Sequence, residues 1–303
     1  MKNDTKYLIT IIGPTAIGKT ALAIAMANHF DCEIISADSR QFFKEMEIGT
    51  AVPSLTEQAA VEHHFIQNKS IFEEYTVGDF EREALAKLDE LFETSNFAVM
   101  VGGSGLYIDA VLKGFDDFPE IEPSVRAEII EKYEAHGLLF LQKELEERDP
   151  VHFEKVAKDN PQRLMRALEV CIGTGKPYSS FLNQKKNTRP FTPIIIGLMA
   201  EREEMYTRIN KRVDIMAASG LVDEAKNLYP HRKLNALQTV GYRELFIHFD
   251  GEWTLEFALE EIKKNTRRFA KRQMTWFKRT ENTKWFDYKT PPAEIINFIE
   301  SSI

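Results

Sequence analysis

A chain of 303 residues with 43% hydrophobic and 28% charged residues has the make-up of an ordinary globular protein, long enough for one large domain or a domain carrying a sizeable insertion. No apolar run approaches the roughly 20 residues that span a bilayer, and the polar start at residues 1–6 leads straight into a strand, so no membrane segment, signal or transit peptide is expected. The formal net charge of −8 argues against a surface that coats nucleic acid generally; a phosphate-bearing partner needs a local basic patch.

The run 7–12 is apolar and reads as a buried strand, and the Ala- and Leu-rich run 21–27 favours helix. Between them stand Gly13, Pro14, Thr15, Ala16, Ile17, Gly18, Lys19 and Thr20, the spacing G-x-x-x-x-G-K-[ST]. Strand, loop and helix in this order make a P-loop. Its backbone N–H groups and the helix N-terminus cradle a polyphosphate, Lys19 neutralises phosphate oxygens, and the Thr20 hydroxyl is placed to ligate Mg²⁺. A chance match in a loop is the plainer alternative, but it leaves the flanking elements unexplained. Whether the polyphosphate is a nucleotide such as ATP stays open.

The second strand, 32–36, ends in Ala37-Asp38-Ser39-Arg40-Gln41. In an open parallel sheet the carboxyl ends of strands line the ligand crevice, so Asp38 emerges beside the P-loop; a turn-forming Asp is the plainer alternative. His63 and His64 open a short strand and, with no third ligand in sight, are read as structural. A helix over 77–92 feeds a buried strand, 97–101, which runs into the glycine-rich turn 102–107 and a helix over 108–112. P-loop kinases often end such a strand in an acid that helps hold Mg²⁺; here it ends in Gly-Gly. Cys32 and Cys171 have no metal-ligand spacing and are read as buried reduced thiols of a cytoplasmic protein.

Composition changes after Gly114. A linker-like stretch, 115–123, precedes helical patterns over 124–135, 138–147, 150–158 and 161–172. The last is bracketed by Asn160-Pro161 and by Gly173 and Gly175, both limit signals. Residues 175–190 are polar and basic, with Lys185 and Lys186 among them, and strand character resumes over 193–198. The expected fold is therefore α/β: a P-loop parallel-sheet core over 1–115 and 191–303, with an all-helical insertion over 116–190. The remainder is helical, with Arg208 and Arg212 on one face four residues apart. A long helix from Leu255 carries eight Lys/Arg and no acid between Lys263 and Arg279. A solvated face explains such a run as simply as an RNA-binding one, and Phe269, Trp276 and Phe277 are read as core. A last strand is expected near 284–287.

Taken together, the P-loop, Asp38-Ser-Arg-Gln41, Ile48-Gly-Thr-Ala51, His63-His64, Val101-Gly-Gly-Ser-Gly-Leu-Tyr107, Asn160-Pro-Gln-Arg-Leu-Met-Arg166, Val240-Gly-Tyr-Arg243 and Lys271-Arg-Gln-Met-Thr-Trp-Phe277 resemble the tRNA dimethylallyltransferases over nearly the whole chain. The P-loop alone is weak support; the ordered set is highly specific. The resemblance implies prenylation of adenosine-37 in the tRNA anticodon stem-loop from dimethylallyl diphosphate, with Mg²⁺, by a bacterial-type cytoplasmic monomer. It implies Asp38 and Ser104 in chemistry, and Arg212 with the P-loop on the diphosphate. It implies tRNA contacts from Asp38, Ser39, Arg40, Gln41, Ser104, Arg126, Gln162, Arg163, Leu164, Met165, Arg166, Arg243, Lys271, Arg272, Gln273 and Lys278. Ile17 stands where the family usually has Ser, and Val52 where Lys is common, so this chain lacks a hydroxyl and a cation of the family pattern.

The chemistry agrees with those residue types. Charge on the departing diphosphate is the main electrostatic task, and Lys19 and the loop meet it. The exocyclic amine of adenine must lose a proton as it is alkylated, which suits a carboxylate, and the base must leave its stack. A P-loop small-molecule kinase is the main rival, marked by ATP turnover without tRNA. A non-catalytic RNA-binding switch is the other, marked by absence of any prenylated product.

Overall fold

The computed structural model describes residues 5–116, 118–182 and 188–303. The polar lead over 1–4, and Lys185 and Lys186 of the basic stretch, lie outside the described residues. The chain forms two compact units, one of Met1–Leu112 with Arg189–Ile303 and one of Lys113–Thr188.

The larger unit begins with β1 (Tyr7–Ile12), α1 (Lys19–Phe30), β2 (Ile34–Ser36), α2 (Leu55–Ala60), β3 (His63–His64), α3 (Val77–Thr94), β4 (Phe97–Val101) and α4 (Gly105–Lys113). The smaller unit holds α5 (Pro123–His136), α6 (Leu138–Arg148), α7 (Pro150–Phe153) and α8 (Pro161–Thr174). The larger unit resumes with β5 (Thr192–Met199), α9 (Arg202–Ala218), α10 (Leu221–Leu228), α11 (Tyr242–Phe249), α12 (Leu255–Phe277), β6 (Thr283–Asp287) and α13 (Pro292–Glu300).

Six parallel strands lie in the order β3-β2-β4-β1-β5-β6. Every residue of β1 is buried, as a strand covered on both faces requires. Side chains alternate across it: Leu8 and Ile12 join Phe80, Leu88 and Met100 on one face, while Ile9 and Ile11 join Leu22, Met26 and Ile295 on the other. A third apolar cluster ties Val213, Leu221, Leu237, Tyr242, Phe246 and Ile262 of the carboxyl-terminal helices together. Because all strands run one way, the turns leaving β1, β2, β4 and β5 open on a single edge of the sheet. That edge holds the site.

The smaller unit has its own core around Leu141, Leu145, Leu164, Met165 and Leu168. The side chain of Asn160 accepts the Arg163 N–H to start α8, and left-handed Gly175 ends it. The helix expected over 150–158 stops at Phe153: Lys155 and Val156 both turn their N–H groups back onto the His152 carbonyl, which closes the chain into a turn.

Candidate active site

The glycine loop leaves β1 and feeds α1. A Cβ on Gly13 would lie 2.7 Å from the Leu198 carbonyl oxygen of β5, so only glycine lets the loop pass its neighbour. Ala16 holds φ at 63°, a left-handed conformation that costs a non-glycine residue of order 1 kcal/mol. Arg208 of α9 steadies it, Nε donating to the Ala16 carbonyl at 2.8 Å. Ile17 is buried in the core beneath the loop, so this position offers a ligand its backbone and no hydroxyl. Lys19 folds over the loop, its Nζ donating to the carbonyls of Gly13 at 3.0 Å and Pro14 at 2.8 Å. Burial lowers its pKa to about 8; Asp38 opposes that shift and Arg212 adds to it. Arg212 is drawn down by burial too, against the pull of Asp38 and Glu57, and its Nη1 lies 3.5 Å from Thr15 Oγ1.

Across the edge, Asp38 caps its own turn: Oδ1 accepts the Arg40 N–H at 3.1 Å. Gly102 brings the β4 turn against it, where a Cβ would meet the Ala37 carbonyl oxygen at 2.2 Å. Ser104 Oγ accepts the Ser39 N–H at 2.9 Å and donates to Ser39 Oγ at 3.0 Å. Ser104 is thus the pin between the two turns. Arg40 donates from Nη1 to the carbonyls of Asn235 and Ala236. Gln41 donates to the carbonyls of Thr50 and Ala51 and accepts from Ser36 Oγ. In this structure both side chains brace neighbouring loops.

Two cavities of about 510 Å³ each open here. One is lined by the P-loop from Thr15 to Thr20 with Ser36, Asp38, Arg208, Lys211 and Arg212. The other is more apolar, lined by Leu106, Tyr107, Ile209, Val213, Met216, Val240, Phe269 and Trp276, with Arg40, Arg243 and Arg272 among the polar groups. Thr15, Asp38, Thr50, Arg212, Phe269 and Gln273 line both. A cavity lined by cations and an apolar-aromatic cavity therefore share lining residues, a carboxylate among them.

Several expectations need correcting. Phe277 is core at 1% exposure, but Phe269 and Trp276 are 38% and 36% exposed and line the apolar cavity. Trp276 is held there by its Nε1, which donates to Asp109 Oδ2 at 2.8 Å. The basic run is partly neutralised from outside its acid-free stretch: Lys263 pairs with Asp214 and Glu260, and Lys264 with Glu261. Lys271, Arg272 and Lys278 are exposed. Leu164 and Met165, expected to touch tRNA, lie in the core of the smaller unit because they occupy the apolar stripe of α8. Around them Arg126 donates to Glu169 and Gln162, Arg166 donates to Glu169, and Arg163 is exposed.

The histidines also differ from expectation. His63 lines the P-loop cavity; its Nδ1 bonds the Val61 carbonyl, and Nε2 is buried with no hydrogen-bond partner among the described residues. Burial lowers its pKa. His64 lies 2.5 Å from Glu33, and with Glu62 the three ligand atoms fall within 4.8 Å of one another, a grouping that no sequence spacing announced. Arg208 was findable from its i,i+4 relation to Arg212.

The sequence profile of the family described as IPP transferase matches residues 41–280. The tRNA dimethylallyltransferase of Flavobacterium johnsoniae is 66% identical over 304 residues, covering 98% of each chain. The tRNA dimethylallyltransferase 1 of Bacteroides fragilis is 44% identical, covering 98% of this chain and 99% of its own. Among solved structures, the tRNA isopentenylpyrophosphate transferase of Bacillus halodurans superposes with a TM-score of 0.73 at 36% identity, covering 98% of this chain and 96% of that one. A eukaryotic dimethylallyltransferase acting on tRNA gives 0.84 at 26% identity, covering 98% and 80%.

Proposed function

The chain belongs to the IPP transferase family, the tRNA dimethylallyltransferases, and transfers a dimethylallyl group to tRNA; from that premise we propose how its residues divide the work. The donor is dimethylallyl diphosphate, the acceptor the exocyclic amine of adenosine-37 beside the anticodon. The observation that supports this division is the shared wall: a cationic P-loop cavity on one side, an apolar-aromatic cavity on the other, and Asp38 in both.

The diphosphate lies against the loop N–H groups, Lys19 and Arg212, with Arg208 and His63 on the same cavity wall. The unstacked adenine enters the apolar cavity beside Phe269 and Trp276. As the bond from the prenyl carbon to the diphosphate oxygen breaks and the bond to the amine nitrogen forms, the amine becomes cationic and gives one proton to Asp38. The diphosphate departs with its electron pair, its charge met by groups already in place. Ser104, pinned to Ser39, keeps the acceptor turn in register.

Mg²⁺ prefers few protein ligands together with substrate phosphates. The P-loop cavity suits that preference: Thr20 lines it and would hold the ion through its hydroxyl, leaving other positions to diphosphate oxygens and water. Bound there, the ion would neutralise diphosphate charge. No helix among the described residues is long and apolar enough to cross a membrane, and we place the enzyme in the cytoplasm as a monomer. The anticodon stem-loop is the tRNA element it reads, with Arg126, Gln162, Arg163 and Arg166 of the smaller unit and Lys271, Arg272 and Lys278 of α12 as backbone and loop contacts. Incubation with labelled dimethylallyl diphosphate and tRNA should yield prenylated adenosine at one position. Label on another nucleotide, or none, would remove this reading.

A further inference from the structure

Gln273 is buried at 6% exposure on α12, inside the run that the sequence assigns to RNA contact. Its amide is spent elsewhere. Oε1 accepts the Thr15 N–H at 2.9 Å, and Nε2 donates to the Gly103 carbonyl at 2.9 Å. Thr15 belongs to the loop after β1, and Gly103 to the turn after β4, its neighbour in the sheet. The fit is close: a Cβ on Gly103 would fall 2.4 Å from Gln273 Nε2 and 3.6 Å from Asp38 Oδ2. On one side Thr15 leads into strained Ala16 and meets Arg212. On the other, Gly103 leads into Ser104 and its bonds to the Asp38–Ser39 turn. One amide thus joins the phosphate loop to the turn after β4, which Ser104 pins to the acid-bearing turn.

We propose that Gln273 is a positioning residue for prenyl transfer. It acts through Thr15 N–H and Gly103 C=O, fixing the distance between the donor's phosphate cradle and Asp38 instead of contacting tRNA. The inference rests on the division of donor and acceptor cavities argued above. It follows from geometry that a neutral carboxylic acid can replace this amide: its carbonyl oxygen accepts from Thr15 and its O–H donates to Gly103. The ionised carboxylate cannot, because it offers no proton to the Gly103 carbonyl. Asp38 beside it opposes ionisation, while Lys19 of α1, Arg212 of α9 and Arg272 of α12 favour it; the direction of the pH effect is the same wherever that balance falls.

The test compares wild type with Gln273→Met and Gln273→Glu in single-turnover transfer from dimethylallyl diphosphate, together with tRNA affinity and thermal melting. Gln273→Met should keep tRNA affinity within about twofold and lose roughly 10- to 100-fold in transfer rate at saturating substrates, as expected for unpaired buried groups and slight misplacement of reactants. The ratio of Gln273→Glu to wild-type rate should rise towards acid and fall as pH rises. Should Gln273→Met melt below the assay temperature, the pH ratio of Gln273→Glu carries the test. A loss confined to tRNA affinity would return Gln273 to RNA contact, and a flat ratio with normal rates would remove the positioning role. Wild-type enzyme giving no product would instead overturn the donor reading, and this inference with it.

Discussion

The buried ammonium of Lys19 makes donor binding depend on pH in a window where ordinary lysines are silent. With a pKa lowered to about 8, its protonated fraction falls from about nine-tenths at pH 7 to about one-tenth at pH 9, whereas a lysine near 10.4 barely changes. The last proton of a terminal phosphate leaves near pH 6, so the donor's own charge is settled before this window opens. If the diphosphate requires the charged ammonium, its affinity should fall about tenfold between pH 7 and 9. Binding raises the Lys19 pKa, so about half a proton should be taken up per donor bound near pH 8. Calorimetry without tRNA, in buffers of different ionisation enthalpy, measures both quantities. Lys19→Arg keeps a charge that does not titrate here, so its affinity, weaker at pH 7, should be flat across the window. A flat wild-type profile, or a slope that survives in Lys19→Arg, would mean that donor binding does not depend on the charge of Lys19.

Asp38→Asn retains the acceptor for the Arg40 N–H but loses the basic carboxylate. Single-turnover transfer should fall by about 10²–10⁴, with both substrates still bound; a loss wholly in tRNA affinity would make Asp38 a positioning group. Replacing Lys271, Arg272 and Lys278 together by Gln should flatten the salt dependence of tRNA binding. Each lost phosphate contact lowers the slope of log K against log salt by about 0.9 on duplex or 0.7 on single strands, and an unchanged slope would leave these groups as a solvated face. Tyr242→Phe removes the hydroxyl that donates to Glu224 at 2.7 Å. That carboxylate also holds the N–H groups of Glu47, Ile48 and Gly49. Urea unfolding should register about 1.5–3 kcal/mol, and a change below about 0.5 kcal/mol would deny that hydrogen bond its place.

What the sequence made legible depended on how far apart the interacting groups lie along it. The P-loop is local and could be read directly, as could α8, whose Asn160, Pro161 and Gly175 mark its own limits. α10 is less legible, because a glycine such as Gly220 reads equally as the end of one helix or the start of the next; at φ 106° it is the N-cap of α10. α2 has no buried residue, and only its Ser54–Glu57 capping box announces it. The cavity wall was harder. Phe269, Trp276 and Phe277 share one apolar pattern, and which of them meets core or cavity is decided by α4 and α9, elements distant in sequence. The amides of Gln41 and Gln273 bond backbone groups whose identity no side-chain pattern carries, and Gln273 reaches 258 and 170 positions along the chain to do it.

The manner in which the cations are held explains how an acidic chain can present a cationic cavity. Lys263, Lys264, Arg126 and Arg189 spend their charge on carboxylates, and such pairs have little field left for a ligand. At the P-loop, Lys19 donates to the carbonyls of Gly13 and Pro14 and Arg208 to that of Ala16. A carbonyl satisfies a donor without cancelling its charge. The cost appears as burial that draws down both Lys19 and Arg212, a desolvation that the nearby acids Asp38 and Glu57 only partly offset. On the division proposed above, an incoming diphosphate would supply the missing counter-charge in a low-dielectric pocket, where the attraction is far stronger than at the surface. The depressed pKa of Lys19 and the charge that the proposed division keeps for the leaving group thus share one cause: burial of cations beneath a sheet edge, where carbonyl partners leave their charge uncancelled.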